Sequence, residues 1–349
     1  MPDGRAVHEY TLDNGRGMTL GAINLGGIVT SIRVPDRNGH DANVVLGFAD
    51  LADYLERNPN FGVIVGRFAN RIAAGRFTLD GALHQLDLND GRTSLHGGVR
   101  GFGTQWWSIA ELAAAANGDV GLELHYSSAD GEGGYPGQLD VSVSYTLTPQ
   151  NEWRIDYRAT SDRATVVNLT HHDYFNLAGS GSALGHRLYI AASRYLAVDR
   201  DLIPIQAEAV DQTPFDFRRS TQVAERIRHG VPQLALALGY DQCFILDRDR
   251  DDGLVFAARL SDDLFGRWLE IDTTEPAVQF YSGNRLDGSL IGHQGALYRQ
   301  GDGLALEPQH FPDSPNRPDF PSTVLRPGET FFSSTRYRFG VDGSATRSA

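Results

Sequence analysis

Lysine does not occur in this chain; all 31 basic residues are arginine. That excludes Schiff-base chemistry and any other mechanism resting on an active-site lysine amine. Cysteine occurs once, at Cys243, so no disulfide can form within the chain. A lone cysteine fits a reducing compartment, and a cytoplasmic location is expected. The opening residues, MPDGRAVHEYTLDNG, contain no apolar run of the kind found in a secretory leader, and no apolar stretch long enough to span a bilayer follows. Neither export nor membrane insertion is expected. Positive charge is also short. Forty-four acidic residues outweigh the arginines and give a net charge of −13, so no basic stripe can dominate the field and nucleic acid is excluded as a partner. An acidic surface favours solubility and a neutral substrate.

What the chain has in quantity is glycine, 39 in 349 residues, with 41% hydrophobic and 10% aromatic residues. This is the composition of a globular, turn-rich protein. Leu122, Leu124 and Tyr126 alternate with Glu123, His125 and Ser127. Val141, Val143, Tyr145 and Leu147 alternate with Ser142, Ser144 and Thr146, and Ile155, Tyr157 and Ala159 alternate with Arg154, Asp156 and Arg158. Each pattern predicts a half-buried strand. The Gly- and Pro-rich ADGEGGYPGQLD and the tight Asn151–Trp153 turn join them into three consecutive antiparallel strands. Further strands are expected near 63–65, 188–191, 254–260, 269–272, 277–282, 304–307 and 336–339, and short helices only at 49–57 and 222–228. The class is all-β with large stacked sheets. No linker or repeat interrupts the chain, so one domain is expected over 1–349, with its core at about 10–340 and a frayed polar tail.

The segment VVNLTHHDYFNLAG, residues 166–179, carries two histidines, an aspartate, a tyrosine and two asparagines inside an apolar frame. Buried polar atoms without partners cost about 1–3 kcal/mol each, so the segment reads as the floor of a polar pocket. Side chains alternate on an extended backbone, so only one of His171 and His172 can enter that pocket. The residues alone leave open a purely structural histidine pair. No metal is expected, because no ligand-spaced His, Cys or carboxylate run surrounds the pair.

Five other places carry polar groups at element ends. Asn70-Arg71 closes an apolar strand, where the arginine fork can clamp hydroxyls or form a salt bridge. His96 precedes two glycines that permit close approach of backbone to a ligand. Asp241 follows a Gly-Tyr turn, and Gln279 sits between a short apolar run and two aromatics. Glu307 is on the opposite strand face from Leu304 and Leu306, at a strand expected to end at Pro308, where burial can raise its proton affinity toward that of a useful base. GSGSALG, 179–185, lacks the strand–turn–helix setting of a nucleotide loop.

In order, NPNFGVIVGRFANRI, SLHGG, NLTHHDYFNL, GYDQCF, AVQFYSGN and ALEPQHFPDSPN resemble the aldose 1-epimerase (galactose mutarotase) family, over about 10–339. The resemblance implies a large antiparallel β-supersandwich with few short helices. It also implies interconversion of the α and β anomers of free hexoses such as D-galactose and D-glucose, by an isomerase that uses no cofactor. It makes His172 the general acid, Glu307 the general base and His96 a second histidine near the ring oxygen. Asn70, Arg71, Tyr174, Asp241 and Gln279 become sugar ligands. Where the family usually has N-L-T-N-H, this chain has Asn168-Leu169-Thr170-His171-His172, and alternation turns His171 away. The implied chemistry has Glu307 ionised and His172 protonated on opposite sides of the hemiacetal, with Asp241 helping to hold the histidine's charge. Three rivals remain: a hexose-6-phosphate 1-epimerase, which needs extra cations at the cleft; a glycoside hydrolase or lyase pairing Asp241 with Glu307; and a non-catalytic sugar-binding module. The partner is a small free aldose, and the protein is expected to be a monomer or homodimer.

Overall fold

The computed structural model describes residues 4–248 and 253–342; the polar tail expected to fray lies largely outside the described residues. Strands dominate, as the alternation requires. Nine of them form one antiparallel sheet, in the order Ser108–Leu112, Val120–Ser128, Leu139–Leu147, Glu152–Ser161, Phe331–Val341, Arg267–Thr273, Val255–Ser261, Arg187–Ile190 and Thr221–Gln222. Its middle contains the three consecutive strands expected from the sequence, in register Val143↔Tyr157 and Val143↔Leu124.

A second, six-stranded sheet runs Tyr174–Phe175, Leu304–Gln309, Ala277–Tyr281, Asp241–Ile245, Arg194–Val198 and Pro204–Ala209. A four-stranded sheet from the N-terminal residues, Glu9–Asp13 through Asp41–Asn43, completes the layers. The first two sheets share one apolar core. Tyr145, Trp153, Ile155 and Tyr337 on one side meet Phe175, Val278, Phe280, Leu304 and Leu306 on the other, and Phe175 contacts Tyr337 with ring centroids 5.7 Å apart. Both short helices lie where expected, at Leu51–Glu56 and Val223–Arg226. A third, Pro232–Ala237, was not foreseen; it begins with proline at its first turn and ends on Leu238 in the left-handed region (φ 61°).

Two local expectations are corrected. Residues 166–179 do not form one strand: short ladders at Thr165–Val166, Thr170–His171 and Tyr174–Phe175 each take a different partner, with single bridges from Asn168 to Phe68 and from Phe175 to Val45. The strand expected to stop at Pro308 continues to Gln309. Pro308 pairs with Val278 on one side, and on the other the neighbouring strand has already ended, at the Tyr174↔Ala305 pair. The missing proline N–H therefore breaks no ladder bond.

Candidate active site

The period-2 rule builds the site from the six-stranded sheet. Val278, Phe280, Leu304 and Leu306 point into the core, so Gln279, Tyr281, Ala305 and Glu307 face the other way. Register then sets Gln279 opposite Glu307, and Asp241 opposite Tyr281. On this face opens a cleft of about 210 Å³, lined by His96, His172, Tyr174, Asp241 and Glu307 with Asn70, Arg71, Tyr281 and Arg285. That is below the ~300–1,000 Å³ of sites for drug-sized ligands and fits a small molecule. A larger groove of about 560 Å³ crosses the nine-stranded sheet, but His125, Asp140 and Arg158 along it are exposed to solvent.

His172 enters the cleft and His171 does not. The backbone of His172 is fixed from both sides, its N–H donating to Val63 O at 3.0 Å and its C=O accepting from Gly62 N at 3.0 Å. Its ring stacks on Tyr174 at 4.8 Å, and Tyr174 is itself tied down by its hydroxyl donating to Pro59 O at 3.0 Å. Nε2 of His172 lies 3.6 Å from Oε1 of Glu307. This is too long for a hydrogen bond and short enough for both groups to reach the two oxygens borne by one anomeric carbon. Acid and base thus sit side by side, and the expectation of opposite walls is corrected. Oε2 of Glu307 and Oε1 of Gln279 are buried without a protein partner, a cost that an incoming polar ligand removes.

The polar residues around His172 are mostly scaffold. Thr170 donates to Pro308 O at 2.7 Å, joining the histidine segment to the Glu307 strand. Asn168 accepts from His310 N at 3.0 Å and donates to Ala69 O at 3.2 Å. His171 bonds Asp173 and Tyr145, and Asn176 donates to Gly181 O and Asp302 O. The demand for partners that suggested a pocket is met largely by protein, with His172 and Tyr174 the two of this segment that line the cleft.

His96 and Asn70 both occupy the left-handed region, at φ 53° and 66°, which costs a non-glycine residue energy unless neighbours enforce it. Here they brace each other: His96 N donates to Asn70 O at 3.1 Å, and Asn70 N donates to Nδ1 of His96 at 3.2 Å. Nδ1 is therefore the acceptor, and in neutral His96 the proton resides on Nε2. His96 offers the cleft a hydrogen-bond donor, as expected of a group near the ring oxygen. The same tautomer opposes metal binding, although donor atoms of His96, His172 and Glu307 lie within 4.8 Å of one another.

The following glycines serve a different purpose from the one expected. Gly97 (φ 88°) presses against the backbone, where a Cβ would lie 1.9 Å from Gly66 O; the close approach is to protein and not to a ligand. Gly97→Ala should cost about 1–3 kcal/mol from the backbone conformation alone, with the collision added. A urea midpoint unchanged from wild type would contradict this.

The arginine and carboxylates form a web. Nε of Arg71 donates to Asp90 at 2.9 Å, and Nη1 lies 3.8 Å from Asp241. Asn70 spends its Oδ1 on Arg71 N at 2.8 Å, leaving its amide nitrogen for a ligand. Gln279 lies beneath the wall and donates to Asp241 at 2.7 Å. Asp241 is thus committed to Arg71 and Gln279, and the role of holding charge on His172 is not the one its contacts describe. Asp90, Asn60, Tyr281 and Arg285 were not singled out from sequence. Asp90, Asn60 and Arg285 come from turns or from the rim and no local pattern marks them, whereas Tyr281 follows Gln279 by two on the same strand and alternation would have marked it.

Burial governs the protons. It pushes His172 down to about 3, with the charge of His171 acting in the same direction, and holds His96 well below the ordinary 6.5. Burial lifts Glu307 well above the usual carboxylate range; the charges of Asp241 and Asp173 add to this and Arg71 opposes it. In the empty cleft burial thus disfavours the expected resting ion pair and biases the shared proton toward Glu307.

A small polar cleft with one buried carboxyl and one buried imidazole, on stacked antiparallel sheets, defines an acid–base site for a small hydroxylated molecule. Known proteins agree. The sequence pattern of the aldose 1-epimerase family matches residues 8–338. The chain is 42% identical to galactose mutarotase of Rattus norvegicus over 97% of its own length and 95% of that protein, and 38% identical to aldose 1-epimerase of Escherichia coli (strain K12) over 97% and 96%. Among solved structures, an aldose epimerase homologue from C. elegans superposes with a TM-score of 0.88 at 28% identity, covering 96% of this chain and 99% of that one. A galactose 1-epimerase from Lactobacillus acidophilus NCFM gives 0.85 at 29%, covering 97% and 96%. The chain belongs to the aldose 1-epimerase family.

Proposed function

We propose that the protein is a mutarotase that interconverts the α and β anomers of free hexoses such as D-galactose and D-glucose, with Glu307 and His172 sharing the proton work. The observation that carries this is their 3.6 Å separation at the cleft floor. Ring opening removes the C1 hydroxyl proton and delivers one to the ring oxygen. From the form with Glu307 ionised and His172 protonated, reached by passing the pair's one proton from Glu307 to His172, Glu307 as base and His172 as acid complete both transfers without net proton exchange. The pair then stands as Glu-COOH and neutral imidazole, the arrangement that burial favours in the empty cleft. Rotation about C1–C2 presents the other face of the aldehyde, and closure runs the two transfers backwards. His96 donates to the ring oxygen or a neighbouring hydroxyl, and Asn70, Arg71 and Asp241 hold the distal hydroxyls. Tyr174 walls the site. The whole chain supplies this site as one unit, and we place it in the cytoplasm as a monomer or homodimer. Among the described residues, no helix is long and apolar enough to cross a membrane.

The free sugar is favoured over a hexose 6-phosphate because the cleft cations are already matched. Asp90 and Asp241 face Arg71, and Asp90 also faces Arg285 at 3.4 Å. Polarimetry of fresh α-D-glucose and of glucose 6-phosphate should show faster catalysed exchange for the free sugar; preference for the phosphate would reverse the assignment. A hydrolase's second carboxylate is not free in Asp241, which accepts from Gln279 and faces Arg71.

The active form carries one proton on the pair. Adding a second means protonating His172, which burial holds to about 3, so kcat/KM should stay level as pH falls through 6.5 and decline only well below it. On the alkaline side the rate falls when the pair loses its proton, at the raised value of Glu307. A decline centred on the ordinary histidine value would contradict this.

A further inference from the structure

Behind His172 lies a buried group of three that the acid–base scheme does not use. Nδ1 of His171 is 2.7 Å from Oδ2 of Asp173, and its Nε2 is 2.9 Å from the Tyr145 hydroxyl. That hydroxyl has a single proton and donates it to Gly27 O at 2.7 Å. It can only accept from His171, so Nε2 carries a proton. The Nδ1–Asp173 contact holds another, and both side chains are fully buried, at 0% and 1% exposure. Each ring nitrogen thus faces an oxygen that accepts its proton, the Tyr145 hydroxyl at Nε2 and the Asp173 carboxylate at Nδ1. The rings of Tyr145 and Trp153 pack edge-on against His171 and fix its plane.

We propose that His171, held as an imidazolium between Asp173 and Tyr145, is a positioning residue whose ion pair with Asp173 biases the proton shared by the catalytic pair toward Glu307 and away from His172. This rests on the acid–base reading of that pair. The two ends act in the same sense. Positive His171 opposes a second positive charge on its neighbour His172, and negative Asp173 opposes negative charge on Glu307. The other groups facing the catalytic pair are His96, Tyr174, Tyr281, Arg71, Asp241 and Arg285, with the Cys243 thiol buried near Glu307; those facing His171 are Tyr145 and Asp173, with Tyr337 stacked beyond Trp153. The ion pair thus keeps the site neutral before sugar arrives and extends its working range toward acid.

Removing His171 alone strands a buried carboxylate, so the test is the paired variant His171→Asn with Asp173→Ser. The acid limb of its kcat/KM profile should move up by about one pH unit, with KM near wild type. Should this variant fail to fold, Tyr145→Phe removes the Nε2 acceptor and should move the limb the same way by less. In wild type, nitrogen-15 spectra of histidine-labelled protein at pH 8 should show one histidine with both nitrogens protonated. An unprotonated nitrogen on His171 at pH 8, or an acid limb unmoved in the folded variant, overturns the inference. With Glu307→Gln still inactive, such a result overturns this step alone; an active Glu307→Gln overturns the acid–base scheme itself.

Discussion

Glu307→Gln should lose about 10²–10⁴-fold in anomer exchange, the usual contribution of one positioned acid–base group, while folding like wild type. The reason is the proton. Burial favours the neutral form of Glu307 in the empty cleft, and glutamine copies the shape and neutrality of that form. It cannot accept the C1 hydroxyl proton. The substitution therefore separates chemistry from packing. It should also change how stability responds to pH. In wild type the unfolded chain ionises this group near 4.5 and the folded protein only at its raised value. Wild type should therefore lose stability relative to Glu307→Gln as pH rises from 4.5 towards that raised value, with the two alike below it. Thermal melts at several pH values check this, and a difference that grows toward acid would contradict it.

His172→Asn should be as damaging, again by about 10²–10⁴-fold, for a complementary reason. It removes the imidazole 3.6 Å from Glu307 that gives and takes back the proton, and it removes the ring stacked on Tyr174. Some stability is lost with that contact, but the backbone bonds to Val63 and Gly62 keep the segment in place. The two losses should not add. Each transfer needs its counterpart, so the double variant should be scarcely slower than the slower single one. Losses that multiply would mean that the two residues act independently, and the shared-proton scheme would fall.

How far the sequence revealed this site depends on the residue. Glu307 was legible because alternation along Leu304–Gln309 dictates which side chains leave the core; Asp241 was marked by the turn before it and Gln279 by its flanking residues, and the pairing of Ala277–Tyr281 and Asp241–Ile245 brings them beside it. Alternation allowed only one of His171 and His172 into the pocket and the family resemblance chose His172; His172 does line the cleft, although the segment breaks into short pairings. Those breaks were not legible. They depend on partners more than 100 residues away, among them Ile64–Val65 and Leu304–Ala305. The neutral state of the pair was hidden for a similar reason: depth of burial is set by the whole sandwich and not by the motif. Gly97 shows a subtler limit. The glycine was rightly marked as a place of close approach, yet what approaches, the carbonyl of Gly66, is fixed only in three dimensions. Asp90, which joins Arg71 to Arg285, lies in an ordinary turn sequence and carried no signal.

The most direct test is exchange spectroscopy on galactose labelled at C1, with the folded wild-type protein and with Glu307→Gln at the same concentration. Cross-peaks linking the α and β signals well above the spontaneous rate in wild type, and near that rate in the variant, are expected. Equal cross-peaks in both, or none above background with wild type, would contradict proton exchange through Glu307 and His172.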